Sequence, residues 1–125
     1  MAEGYQNNPI TLITKYESIS VTVNKSFGTD QATAWKVGNL VTVSLRTYNA
    51  SSAIDVTSST TLFTLPIGSR PPSTAYLIGS VVRGSDFSLQ EPALFTITPS
   101  GVITATYAGS FRQIWICGSF PVLDI

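Results

Sequence analysis

The chain has 125 residues, enough for one domain with a core of its own. Seven basic residues balance seven acidic ones, only 11% of the residues are charged, and no basic run is present, which excludes the electrostatic footprint of nucleic-acid binding. Histidine is absent and cysteine occurs once, at Cys117, so His-dependent hydrolase triads, Cys-rich metal sites, redox pairs and intrachain disulfides are excluded.

Residues 1–16 carry an irregular pattern and are expected to form a linker or an added edge strand, ahead of a single β-sandwich domain over 17–125. The amino end lacks the basic and apolar regions of a secretory signal, which predicts synthesis in a cytoplasm. No apolar run approaches the roughly 18 residues of a membrane-spanning helix, so membrane insertion is not expected.

From there on, period-two alternation replaces any helical period. In "ESISVTVN" the apolar set is Ile19, Val21 and Val23; in "LVTVSLRTY" it is Val41, Val43 and Leu45, opposed by Thr42, Ser44 and Arg46. Both predict half-buried strands. "LFTLPIGSRPP" ends a strand at a stiff corner, since Pro66 cannot donate to a ladder and Pro71-Pro72 keeps the chain extended. "TAYLIGSVV" is apolar almost throughout and predicts a strand buried on both faces. "ALFTITPSGVITATY" predicts a hairpin, with Pro99-Ser100-Gly101 at its turn. The closing strand is "RQIWICGSF", with Ile114 and Ile116 on one face and Trp115 and Cys117 on the other. Its apolar setting predicts a buried, unmodified Cys117. Turn material is expected in "NKSFGTDQAT", "NASSAIDVTSS", "GSRPPS", "RGSDFSLQEP" and "AGSFR". The sum is an all-β fold: an antiparallel, jelly-roll-like sandwich of about seven to nine strands with little or no helix.

The chemistry that remains is aromatic and planar polar. No cofactor motif or clustered metal-ligand spacing occurs, and Asp86 and Glu91, the acids sharing one loop, lie outside any strand that would hold them as a catalytic pair. A non-enzymatic protein is expected. The loop from Arg83 to Gln90 combines a bidentate donor (Arg83), an acceptor (Asp86) and an apolar ring (Phe87), the minimum for gripping a sugar. Tyr48 and Asn49, at a strand end before "NASS", are the second choice. The final stretch carries Phe120, Val122, Leu123 and Ile125 after a run of apolar residues, and predicts a homotrimer packed through this end.

Three segments, "AWKVGNLVTVSLR", "LFTLPIGSRPP" and "ALFTITPSGVITAT", together with Phe120-Pro121, resemble in order and spacing the C-terminal head domains of tail fibres and receptor-binding proteins of phages that infect Gram-positive hosts. That resemblance implies a homotrimeric β-sandwich head on a phage tail tip or fibre, made in the host cytoplasm, working with other tail proteins and attaching the virion to a host cell-wall saccharide. The chain lacks the amino-terminal shoulder or stalk of such proteins and the histidine that some relatives place in their saccharide pocket. No binding residue is therefore carried over by motif. A structural virion or baseplate component without its own receptor, and a cellular carbohydrate-binding module, are the alternatives.

Overall fold

The computed structural model describes residues 16–122. Most of the expected linker, and Leu123 and Ile125 of the carboxyl-terminal patch, lie outside the described residues. Eleven strands and no helix occur among those residues: β1 (Glu17–Ser18), β2 (Thr22–Val23), β3 (Thr29–Val37), β4 (Leu40–Tyr48), β5 (Ile54–Val56), β6 (Phe63–Thr64), β7 (Ala75–Val82), β8 (Glu91–Ile97), β9 (Val102–Ala105), β10 (Gly109–Phe111) and β11 (Gln113–Pro121). Nine of them form one sheet in the order β1-β3-β4-β11-β7-β8-β9-β6-β2, and β10 pairs with β5 in a small second sheet. Every pairing is antiparallel. The all-β antiparallel expectation holds.

The main sheet has to curl. β1 and β2 sit on its opposite edges, yet only Ile19, Ser20 and Val21 separate them in the chain. Four extended steps reach at most about 14 Å, whereas nine flat strands spaced by about 4.8 Å would spread over about 38 Å. The sheet resolves the conflict by rolling into a half-barrel, and its concave side becomes the core. In β4 the inward set is Val41, Val43 and Leu45, all almost fully buried. Ile114, Ile116 and Phe120 of β11, Leu77 and Val81 of β7, and Phe95 and Ile97 of β8 face them. Each fully buried side chain of this size contributes about 1.5–3 kcal/mol relative to exposure. Thr47 continues the inward row of β4, and its hydroxyl is satisfied: it donates to Asp30 Oδ1 (2.7 Å) and accepts from the Phe27 N–H (2.8 Å).

The proline corner clamps the β8–β9 hairpin. The Leu65 N–H donates to the Gly101 carbonyl (3.0 Å) and Arg70 Nε to the Leu65 carbonyl (2.9 Å). Gly101 has φ +81°, and a Cβ there would lie 2.4 Å from the Leu65 oxygen. Only glycine fits a turn pressed so closely under the corner. Lys36 Nζ, donating to the Gly68 carbonyl, ties the same corner to β3.

Several expectations are corrected. "ESISVTVN" is not one strand but two short ones on opposite sheet edges. Ile19, Val21 and Val23 still pack against the core, so the alternation reported burial and not a shared pairing partner. "NKSFGTDQAT" was expected as turn, yet Thr29 to Thr33 belong to β3, held by continuous pairing with β4. The turn stretches around Ile54 and Ser110 supply β5 and β10. "TAYLIGSVV" is not buried on both faces along its length: Leu77 and Val81 point inward and Tyr76 and Ile78 are 65% and 69% exposed, while of the outward parity Val82, at the strand's end, is buried. Cys117 is exposed as well. Parity with Ile114 and Ile116 sends it outward, and that parity outweighs the apolar run around it. Phe120 and Val122 are buried in this chain's own core, so the carboxyl-terminal patch does not offer them to a second copy.

Candidate functional site

Tyr48 ends β4 opposite Gln113, which begins β11, and Gln113 lies opposite Val82, which ends β7. That register gathers the loops after Tyr48, after Val82 and before Gln113 at one rim of the half-barrel. The Phe87 ring, carried by the loop 83–90, meets the edge of Tyr48 with centroids 6.0 Å apart and planes at 86°. An edge-to-face aromatic pair of this kind contributes about 0.5–1.5 kcal/mol beyond its burial. Arg112 braces the other side: its guanidinium lies 5.8 Å from the Phe87 centroid and donates to the carbonyls of Asn49 and Ala50. The two groups of residues singled out from the sequence therefore share one surface.

Their individual roles differ. Arg83 Nε pairs with Glu91 at 2.6 Å, about half exposed, and its guanidinium covers the Phe111 ring at 4.9 Å. Asp86 accepts from the Ser88 hydroxyl (2.7 Å) and the Ser88 N–H (3.0 Å). These bonds, the side-chain one foremost, hold its carboxyl below the usual carboxylate range. It stays ionised and open to solvent. Asp86 and Glu91 are thus engaged with different partners. Asn49 is committed to the backbone: Oδ1 accepts from the N–H groups of Ser51 (2.8 Å) and Ser52 (2.9 Å), and Nδ2 donates to the Phe27 carbonyl (2.8 Å). It shapes the loop that presents Tyr48.

A second set of groups, which the sequence did not single out together, adjoins this rim. Arg46 and Trp115 are cross-strand neighbours on the outer face. The Arg46 guanidinium lies 4.3 Å from the Tyr48 centroid and 5.4 Å from the Trp115 ring. Its Nε donates to Gln113 Oε1 (2.8 Å) and its Nη1 to Gln31 Oε1 (3.2 Å). The alternation of β4 and of β11 each announced an outward residue, but nothing in the linear pattern paired the two strands. A separate open groove of about 710 Å³ lies at the β1–β3 edge, lined by Tyr16, Ser18, Ile19, Trp35 and neighbours, and no charged side chain lines it. No group of three or more metal-ligating side chains occurs among the described residues.

No family profile matches the chain. No curated protein matches it in sequence. Among solved structures it is similar to the head domain of phage bIL170, a structure described in connection with the receptor-binding domains of lactococcal phages. The likeness covers 84% of this chain and 97% of that one, with a TM-score of 0.54 and 16% identity.

Proposed function

We propose that this chain is the receptor-binding head of a phage tail, a virion component that attaches to a saccharide of the host cell wall and performs no catalysis. The observation that carries the reading is the fold, shared over nearly the whole of a phage head domain. The rim adds chemical support. Tyr48 and Phe87 supply ring faces, Arg83 and Asp86 stand exposed on the same loop as donor and acceptor, and Asn49 holds the adjoining loop in place. Such a surface suits a neutral ring bearing hydroxyl groups. Affinity per head is expected to be modest and to be raised by several heads acting together.

The same reading has the head working as a homotrimer beside other tail proteins. Tyr76, Ile78 and Leu94 form an exposed apolar patch on adjacent strands β7 and β8, with Cys117 across from Ile78. Contiguous apolar surface of this kind favours association. Light scattering tests the assembly: a mass of three chains supports it, and a mass near the 13.4 kDa of one chain at micromolar concentration overturns it.

Adhesion is tested by applying the fluorescently labelled protein to Gram-positive cells, lactococci included. Saturable binding is expected, with competition by purified cell-wall polysaccharide. Arg83→Ala and Asp86→Ala should each abolish it while leaving the melting curve in place. Binding that persists on cells stripped of wall carbohydrate would overturn the saccharide assignment.

A further inference from the structure

The outer face of the sheet is organised in rows that cross the strands. One row runs Gln31, Arg46, Trp115, Ser80 and Pro92, as successive cross-strand partners from β3 to β8. Within it the Arg46 guanidinium lies over two aromatic rings, Tyr48 and Trp115, and is fixed by two neutral amide oxygens. The ion pair described at the rim is that of Arg83 with Glu91, not one of Arg46. A guanidinium steered by amides and rings keeps its charge and its orientation. Arg46 Nη2 makes no hydrogen bond among the described residues. Beside it, Trp115 is 37% exposed near the start of a central strand, where the core-facing neighbours Ile114 and Ile116 are fully buried. Hydroxyl groups lie on both flanks: Ser44 Oγ is 3.5 Å from Trp115 Nε1, and Ser80 Oγ donates to Gln90 Oε1 at 2.8 Å.

We infer that Trp115 and Arg46 form a platform for an uncharged pyranose unit, with the apolar face of the ring on the Trp115 indole and its hydroxyls on Arg46 Nη2, Ser44 and Ser80. This rests on the adhesion reading and extends the rim onto the sheet, since Tyr48 touches both Arg46 and Phe87. Adjacent strands are spaced by about 4.8 Å, so a glycan laid along the row would meet a new strand roughly once per sugar. An uncharged ligand is favoured by the composition of the row. It carries one positive group and no acid, and the neighbouring row of Thr33, Ser44, Cys117, Ile78 and Leu94 carries no charge at all. A polyanion calls for several cationic contacts and binds with strong salt dependence.

The test uses the full chain with Trp35→Phe, so that Trp115 is its one tryptophan. Uncharged oligosaccharides of glucose, galactose, rhamnose and N-acetylhexosamine are titrated at millimolar concentration against the emission. A saturable shift is expected for at least one of them. By titration calorimetry, Trp115→Ala and Arg46→Ala should each weaken binding by about tenfold or more with unchanged melting curves, and Trp115→Tyr should restore it to within a few-fold. Raising sodium chloride should change affinity by less than about twofold. The inference is overturned if no sugar shifts the emission, if Trp115→Ala and Arg46→Ala bind like the parent, or if salt abolishes binding. Loss of binding in Arg83→Ala and Asp86→Ala but not in Trp115→Ala would overturn the platform and leave the adhesion reading standing. A parent protein that binds neither sugars nor cells overturns both.

Discussion

Gly79 offers the sharpest test of how the half-barrel is built. It lies in β7 directly opposite Ile116 of β11. A Cβ placed there would sit 2.0 Å from the Trp115 carbonyl oxygen and 3.0 Å from both the Trp115 carbonyl carbon and Phe95 Cε2. The first contact is more than 1 Å short of ordinary separation, and its partner is backbone, which cannot rotate aside. Gly79→Ala therefore requires β7 and β11 to part, at the centre of the sheet. Overpacking of cores costs about 1–3 kcal/mol, and more where nothing yields, so about 3 kcal/mol is expected. That is a large share of the roughly 5–15 kcal/mol that holds a domain folded. The melting temperature should fall by about 10 °C or more, followed by far-ultraviolet circular dichroism. Gly84→Ala is the control, because a Cβ there meets nothing within 4 Å; it should be neutral or slightly stabilising. A Gly79→Ala melting temperature within about 2 °C of the parent would refute the close β7–β11 approach.

Phe120→Ala, at a site 2% exposed, should cost about 3–5 kcal/mol and lower thermal stability; dissociation without loss of stability would contradict its place in the core. Cys117 should react with a thiol reagent without denaturant in dilute solution, and more slowly at high concentration if Tyr76, Ile78 and Leu94 meet a second copy. No reaction in dilute solution would disprove its outward placement. Asp86 has a lowered pKa, so what its ionised form contributes is present above the unfolded value of about 4 and is lost as the pH falls through the lower folded value. With no histidine in the chain, binding to cells should be level from about pH 5 to 8, and a midpoint inside that window would refute the assignment of Asp86.

What the sequence disclosed follows from what alternation encodes. The period of two identified β4 and the inward set of β11 because those strands bury one face against a single core. It misjudged Ile78 and Cys117 because apolar identity was allowed to outweigh parity: Leu77 and Ile116 already fixed the inward side. The first part of β3 escaped notice because Thr29 to Thr33 carry no apolar rhythm and depend on β4 for their extended form. At the rim, the residue types were legible and their meeting was not. Tyr48 reaches Phe87, and Arg46 reaches Trp115, only once β11 has docked between β4 and β7. The local duty of Asn49 was also out of sight, as its amide serves the turn that follows it.

The position of β11 also governs how the chain can be synthesised. Among the described strands it is the last to leave the ribosome, yet it lies between β4 and β7. Until it emerges, the nascent polypeptide consists of two half-sheets, each with an open central edge rich in valine, leucine and isoleucine. Such edges pair readily with the wrong partner. The decisive step of folding therefore waits for β11 to emerge, and the yield of soluble protein should depend on slow, dilute production more than on the stability of the finished domain.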